Sequence, residues 1–136
     1  MSASWALQQA IYAALVASGE IKDVVGDPPR VFDAVPRDTA FPYIVVGDGS
    51  ESDWSTASDK GSEHRIEVHA WSRAAGHRET KLVAEAVRDA LDLAELDVAG
   101  QALVDIRYLS TDFTRDADGE TYRAVVRFRA AMEEGE

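Results

Sequence analysis

Histidine and carboxylate side chains are the groups in this chain that could bind a metal ion. The histidines are His64, His69 and His77. His64 and His69 lie in one predicted strand at an odd separation, so their side chains should leave opposite faces and not share an ion. His77 stands at the start of the next predicted helix. No histidine and carboxylate pattern with ligand spacing occurs, so the sequence predicts no metal centre.

The sequence also lacks the short motifs that carry catalysis or cofactor binding. It has no G-x-S-x-G, G-x-x-x-x-G-K-[ST] or G-x-G-x-x-G pattern, and no cysteine that could serve as a nucleophile. Acidic stretches at 48–50 and 116–119 lack the spaced oxygens and closing glutamate of a calcium loop. Pairs such as Asp112 with Asp116 are expected by chance among 25 carboxylates. We therefore predict neither an enzyme nor a cofactor site.

Arginines recur on the predicted strands, and strand alternation places a group of them on one face of the sheet. This arginine set is Arg65, Arg107, Arg123, Arg127 and Arg129. Acidic residues concentrate elsewhere, in 48–63 and at the end of the chain. Two interpretations are open. The arginines are solvated and pair across strands with Glu67 and Asp105, or they form a docking surface for another chain.

An alternating strand over 63–72, followed by an amphipathic helix, must position these side chains. Ile66, Val68 and Ala70 point to one side of the strand, which indicates a sheet with one buried face. The helix is predicted to begin with Gly76 as its N-cap and to pack on that face. Its apolar stripe consists of Leu82, Val83, Ala86, Val87, Ala90 and Leu91.

The remaining elements complete a two-layer fold. A first helix is predicted after a Ser4 cap, and a helical turn can follow it. Near the other end of the sequence, Asp118-Gly119 is a strong signal for a hairpin turn. The predicted elements are a helix to about residue 18, a turn of helix at 20–25, and strands at 30–35, 41–46, 102–113 and 120–131. Their order predicts an α+β fold, a two-layer sandwich of a mainly antiparallel sheet with two helices on one face.

A long polar loop is predicted between two strands, over residues 47–62. Glycine, serine and aspartate dominate it without periodicity, which is typical of a mobile segment. The acidic residues placed in this loop are Asp48, Glu51, Asp53 and Asp59. Trp54 lies at its middle, and it either pins the loop to its own subunit or contacts another chain.

Length and charge narrow the function classes. A chain of 136 residues has the size of one domain, spanning residues 1–136. Its formal net charge of -11 argues against free binding to nucleic acid or to an anionic membrane. No apolar run approaches the roughly 20 residues that span a bilayer, and the first residues lack a signal-peptide pattern. We expect a protein made in the cytoplasm without membrane attachment.

A series of segments along the chain resembles one known family. The segments are ALQQAIYAAL at 6–15, VFDAVP at 31–36, FPYI at 41–44, VHAWSR at 68–73, STDFTRD at 110–116 and RFRA at 127–130. Together they resemble the tail-completion or tail-terminator proteins of long-tailed phages, above all those carried by gene transfer agents and related prophages. Phe41, Pro42, Tyr43 and Trp71 match the family at positions that look structural.

The resemblance implies an α+β subunit of a ring, usually a hexamer, that caps the tail tube, ends tail polymerisation and offers a platform for joining the head. The implied partners are copies of itself, the tail tube protein and a head-completion or stopper protein, with DNA passing through the lumen without sequence-specific binding. The implied location is the virion, at the tail end next to the head, after synthesis in the host bacterial cytoplasm.

On this interpretation the arginine set and Trp54 are the candidate subunit or tail interface, and the family has no catalytic residues to assign. From the residues alone, a small ligand-binding module or a hydrolase with a carboxylate-lined pocket stays an alternative, because fold does not decide function.

Overall fold

Three helices and five strands make up the part of the chain that the structure, a computed structural model, describes, which is residues 2–135. In order they are α1 (Ala3–Ala17), α2 (Gly19–Val25), β1 (Val31–Phe32), β2 (Tyr43–Asp53), β3 (Gly61–Ser72), α3 (Arg78–Leu91), β4 (Gln101–Arg115) and β5 (Tyr122–Glu134). Within those residues, no helix has the length and apolar character needed to cross a membrane.

The five strands form one sheet in the order β1-β2-β3-β5-β4. β1 pairs with β2 in parallel, and all other neighbours are antiparallel. The predicted α+β sandwich with a mainly antiparallel sheet is therefore confirmed. It has three helices where two were predicted, because the segment after α1 forms a helix of its own. Ser18 caps that helix, its Oγ accepting from the Ile21 amide at 3.2 Å.

The core lies between the helices and one face of the sheet. The alternation predicted for β3 is confirmed, since Ile66, Val68 and Ala70 are buried. The largest fully buried side chain is Phe128 of β5. α3 contributes Val83, Ala86, Val87 and Leu91. Leu82 was predicted in the same stripe, but it lies at the edge of the helix face and is exposed.

Both predicted helix starts shift, that of α1 by two residues toward the N-terminus and that of α3 by one residue toward the C-terminus. The cap of α1 is Ser2, not Ser4, because the Ser2 Oγ accepts from the Trp5 amide at 3.1 Å. α3 begins at Arg78 rather than after a Gly76 cap, because Gly76 has a φ of 86° and turns the chain before the helix. Its first-turn residue Glu79 accepts a hydrogen bond from the Ser72 Oγ at 2.7 Å, which ties the helix start to β3.

The predicted boundaries of the loop at 47–62 are wrong. β2 continues to Asp53 and pairs with the start of β3, so the connection spans only 54–60. Gly47, at a φ of 130°, forms a bulge where the register shifts between Val46 and Asp48. Beyond the bulge the side chains are exposed, and backbone pairing with β3 sustains the strand.

This correction changes the setting of the acidic residues assigned to the loop. Asp48, Glu51 and Asp53 lie in the hydrogen-bonded strand β2, and Asp59 alone of the four lies in the connection. Asp48, Glu51 and Asp53 were predicted to be mobile because they were placed in a loop, and their pairing with β3 contradicts that placement. This pairing also fixes the direction of each carboxylate relative to β3, which matters for the site described below.

Bulges also alter the two edge regions of the sheet. The strand predicted at 30–35 shortens to Val31–Phe32, because the bulge at Gly47 interrupts the neighbouring ladder just beyond their partners. On the opposite edge, β4 has register shifts between Leu103 and Asp105 and between Tyr108 and Ser110. These shifts interrupt the side-chain alternation of β4, and Val104 and Leu109 are exposed at them.

The hairpin turn between β4 and β5 is confirmed. Gly119 has a φ of 73°, which a glycine adopts without a steric penalty. The Asp118 carboxylate accepts from the Thr121 hydroxyl at 2.7 Å and from the amides of Thr121 and Glu120 at 2.8 and 2.9 Å. These bonds, the hydroxyl first, lower the pKa of Asp118 to about 2.

Candidate functional site

All members of the arginine set lie on the outer face of the sheet, the face away from the helices, as the alternation predicted. Arg65, Arg129 and Arg107 stand opposite one another on β3, β5 and β4 and form one row. Arg127 stands opposite Glu67 and Arg123 opposite Trp71 in further rows of the same face. The pairing of β5 with β3 on one side and β4 on the other thus brings together side chains that are far apart in sequence.

Two carboxylates on the outer face neutralise most of this arginine row. Glu63 lies 3.0 Å from the Arg129 guanidinium and 3.2 Å from that of Arg65. Asp105 lies 2.9 Å from Arg107 and 3.6 Å from Arg129. The hydrogen bond from Arg129 is the main cause that holds the pKa of Glu63 below its ordinary value.

Arg127 connects two further carboxylates. Its Nε donates to Glu67 Oε2 at 3.1 Å, and its Nη1 donates to Asp112. The hydrogen bond to Asp112, followed by that to Glu67, raises the pKa of Arg127. The predicted pairing with Glu67 and Asp105 is therefore present, and the outer face alternates charges rather than forming a basic patch. A docking role for the arginine set stays a prediction.

Aromatic rings flank the charged rows at both ends of the outer face. The Arg123 guanidinium carbon lies 5.1 Å from the ring centre of Trp71, and that of Arg129 lies 6.0 Å from Trp54. The Trp54 amide donates to the Gly61 carbonyl at 3.0 Å, which closes the β2–β3 connection. Trp54 thus contacts its own subunit, while its 37% exposure leaves ring surface free for another chain.

We predict that reversing Arg127 and Arg129 to glutamate together destabilises the subunit by about 2 kcal/mol. The change removes ion pairs to four carboxylates, each worth roughly 0.5 kcal/mol, and places like charges side by side. Thermal and denaturant unfolding would measure the loss.

The matched control reverses Arg65 and Arg107, whose side chains are 55% and 64% exposed and each pair with one carboxylate of their own strand. This variant should unfold close to the parent chain. Equal destabilisation by both pairs of reversals would show that the ion pairs of Arg127 and Arg129 add nothing specific.

The buried histidine does not form a catalytic relay. His64 lies on the inner face, where burial lowers its pKa. Its Nε2 is 2.8 Å from the Ser62 Oγ and 3.8 Å from a Glu51 carboxylate oxygen. In a serine hydrolase the catalytic histidine contacts the serine through one ring nitrogen and the acid through the other. Here Ser62 and Glu51 both lie closest to the same nitrogen, His64 Nε2. The arrangement therefore does not support the hydrolase alternative.

His69 lies on the opposite face from His64, as the sequence predicted, and it faces two carboxylates. Asp48 of β2 and Glu67 of β3 flank its ring, and the nearest ligand atoms of the three residues lie within 4.8 Å of one another. His77 packs edge-on against Tyr122 with ring centres 5.0 Å apart. Sequence reasoning missed the Asp48 group because it placed Asp48 in a loop. The Glu-x-His pattern on one strand face was the available signal.

The two edges of the sheet carry most of the exposed apolar side chains in the described residues. A groove between α1 and β1 is lined by apolar and polar side chains, and its Trp5 and Tyr12 are 47% and 44% exposed. Its apolar lining is Trp5, Tyr12, Val31, Phe32, Ala34 and Val46, and its polar lining is Gln8, Gln9 and Asp33. The β4 edge presents Val104, Leu109 and Phe113, the first two at its bulges. Sequence analysis identified neither patch, because it gave Trp5 and Tyr12 no role and did not detect the bulges of β4.

Comparison with known proteins gives one family. The sequence pattern of the family described as Tail completion protein gp17 matches residues 9–133. Tail completion protein gp17 of Bacillus phage SPP1 is 26% identical over 127 residues, which cover 93% of this chain and 92% of that protein.

Two solved structures share the fold. A chain in the virion of a native gene transfer agent (GTA) particle matches with a TM-score of 0.91 and 32% identity, over 97% of this chain and 98% of that one. The gp17 protein of bacteriophage SPP1 matches with a TM-score of 0.65 and 25% identity, over 94% of this chain and 89% of that one.

Proposed function

This chain belongs to the family of tail completion protein gp17, and from that membership we propose that it is a structural virion protein that forms a ring on the tail. The ring, a hexamer by the family resemblance, caps the tail tube, ends its polymerisation and provides the platform for joining the head. The strong match to a chain of a gene transfer agent virion supports a place in the particle.

The observation that carries the ring is the difference between the two edges of the sheet. A closed ring needs two different patches on each copy, because every subunit meets its neighbours head to tail. Here one edge is a groove beside α1 that exposes two aromatic side chains, and the opposite edge is a strand with exposed apolar side chains. The two patches lie at opposite ends of the strand order, so each copy can use both at once.

The bulges of β4 favour one kind of contact between neighbouring subunits. Val104 and Leu109 stand where the ladder shifts, and such irregularities hinder continuous pairing with another strand. The neighbour is therefore engaged by side chains inserted in the groove rather than by one sheet that runs around the ring. Aromatic residues such as Trp5 and Tyr12 are the type that dominates binding energy at such contacts.

The charge distribution fits the other proposed partners. Each copy carries a formal charge of -11, and this net negative charge disfavours tight binding of DNA that passes through the lumen. The tail tube protein binds one side of the ring, and a head-completion or stopper protein binds the other. We assign the outer-face arginine set and Trp54 to these contacts. Synthesis takes place in the host cytoplasm, before assembly.

No catalytic step is part of this proposal. The family is defined by tail completion, and His64 lacks the geometry of a relay. The His64 geometry does not support the hydrolase alternative, and the family membership favours a structural role over a small ligand-binding module.

Deleting the gene is the direct test of the proposed function. We expect heads and tails to stay unjoined and tails to vary in length in electron micrographs, with restoration by the wild-type chain supplied in trans. Infectious particles with tails of normal length, made without the protein, would exclude this function.

A further inference from the structure

The outer face holds a group of metal-ligand side chains that tail completion does not require. His69 Nε2 lies 3.3 Å from Asp48 Oδ2 and 3.4 Å from Glu67 Oε1. That nitrogen is buried and has no hydrogen-bond partner, although two carboxylates face it. A buried imidazole nitrogen with two carboxylate oxygens at ion-pair distance but no hydrogen bond to either is unusual, and a cation held between the three groups would account for it.

The distances fit a shared ion. Zinc binds imidazole nitrogen and carboxylate oxygen at about 2.0 to 2.2 Å, which places two ligands of a tetrahedral ion about 3.4 Å apart. The separations from His69 to Asp48 and to Glu67, 3.3 and 3.4 Å, match that edge length. The Asp48 side chain is 71% exposed, so it can adjust its position on binding.

Strand geometry places the Asp48, Glu67 and His69 side chains together on the outer face of the sheet. Glu67 and His69 are two residues apart on β3 and share its outer side. Asp48 joins them only because the bulge at Gly47 shifts the alternation of β2 by one residue, since without it Asp48 would point toward the helices.

A hydrogen bond from Arg127 orients the Glu67 carboxylate toward His69. Arg127 Nε donates to Glu67 Oε2, which leaves Oε1 directed at His69. Arg127 is held in turn by Asp112. Hydrogen bonds of this kind to a ligating carboxylate are a usual feature of metal sites.

We propose that Asp48, Glu67 and His69 bind one divalent transition-metal ion of the zinc type. The mixed nitrogen and oxygen donors favour such an ion over calcium or magnesium, which prefer oxygen alone. Three protein ligands leave a fourth position for water. The ion ties β2 to β3 where the bulge interrupts their ladder. This site is independent of the proposed function, because it requires only the folded subunit.

Calorimetric titration of zinc chloride into the full chain, prepared without an affinity tag and treated with chelator, tests the proposal. We expect one saturable site per chain and a higher melting temperature with zinc than with chelator. Asp48→Asn and His69→Gln should each weaken binding at least about tenfold. Cobalt should give the visible absorption of a nitrogen and oxygen site in the parent chain and lose it in both variants.

The controls are Glu63→Gln, on the same strand and face, and His77→Gln, at the start of α3; both should bind zinc like the parent chain. Since Asp48 is exposed, its variant stays informative even where His69→Gln fails to fold. The proposal is overturned by the absence of saturable zinc binding, by unchanged affinity in Asp48→Asn, or by calcium binding as tightly as zinc.

Discussion

Replacing Trp5 and Tyr12 by serine should abolish self-assembly while leaving the subunit folded. Both side chains line the groove beside α1 and are nearly half exposed, so their loss removes contact surface more than core. Central aromatic residues contribute about 2 kcal/mol or more each at an interface, so the pair should weaken each contact roughly a thousandfold. Analytical ultracentrifugation and incorporation into particles of a complemented deletion strain would measure the loss.

A second variant at the other edge makes the test sharper. Leu109→Ser with Phe113→Ser removes apolar side chains from β4 and should have the same effect alone. In a head-to-tail contact, each variant retains the patch that the other has lost. An equimolar mixture should therefore form dimers through one intact contact but no closed ring.

Ala17→Ser, at the exposed end of α1, is the matched control and should assemble like the parent chain. Trp54→Ser separately tests the tryptophan that the sequence offered as an interface residue. If the variants at both edges incorporate normally into particles, the proposed contact between subunits does not use these edges. The outer face of the sheet would then be the next surface to test.

Gly49→Ala should destabilise the subunit by about 2 to 3 kcal/mol, the upper range for an overpacked site. A Cβ built on Gly49 would lie 2.2 Å from the Arg65 carbonyl oxygen, which is backbone and cannot rotate away. The two strands must separate locally, and that disturbs the pairing next to the bulge. Chemical unfolding of the variant and the parent chain would measure the difference.

Gly19→Ala is the matched control, because it makes the same chemical change where a Cβ would have no heavy atom within 4 Å. Gly19 begins α2 with an ordinary φ, so alanine should be neutral or stabilise by up to about 1 kcal/mol. A Gly49→Ala chain as stable as Gly19→Ala would mean that β2 and β3 can move apart without cost.

Local alternation was enough to predict the strands that have a distinct buried side. In β3 and β5 apolar and charged residues alternate, so the shared face of Arg65, Arg127 and Arg129 followed from the sequence. Their acidic partners did not follow in full. The contact of Arg129 with Glu63 depends on strand register, which local sequence does not specify.

The features that the sequence did not predict depend on partners distant along the chain. The second half of β2 has no apolar pattern and is a strand only because β3 supplies its hydrogen bonds. Gly47 offered a cue for its bulge, but Val104 and Leu109 are ordinary strand residues. The exposed apolar side chains of β4 and the position of Asp48 beside His69 both depend on these bulges. Local sequence therefore did not predict them.

The place of β5 in the sheet has a consequence for how the subunit folds. β5 follows the other four strands of this sheet in the chain, yet it lies between β3 and β4 and contributes Phe128 to the centre of the core. Its pairing joins residues as distant in sequence as Gly61 and Glu133, and such long-range contacts slow folding. Until β5 emerges from the ribosome, β3 lacks its inner neighbour. A nascent chain therefore cannot complete the sheet or the core until β5 has been synthesised.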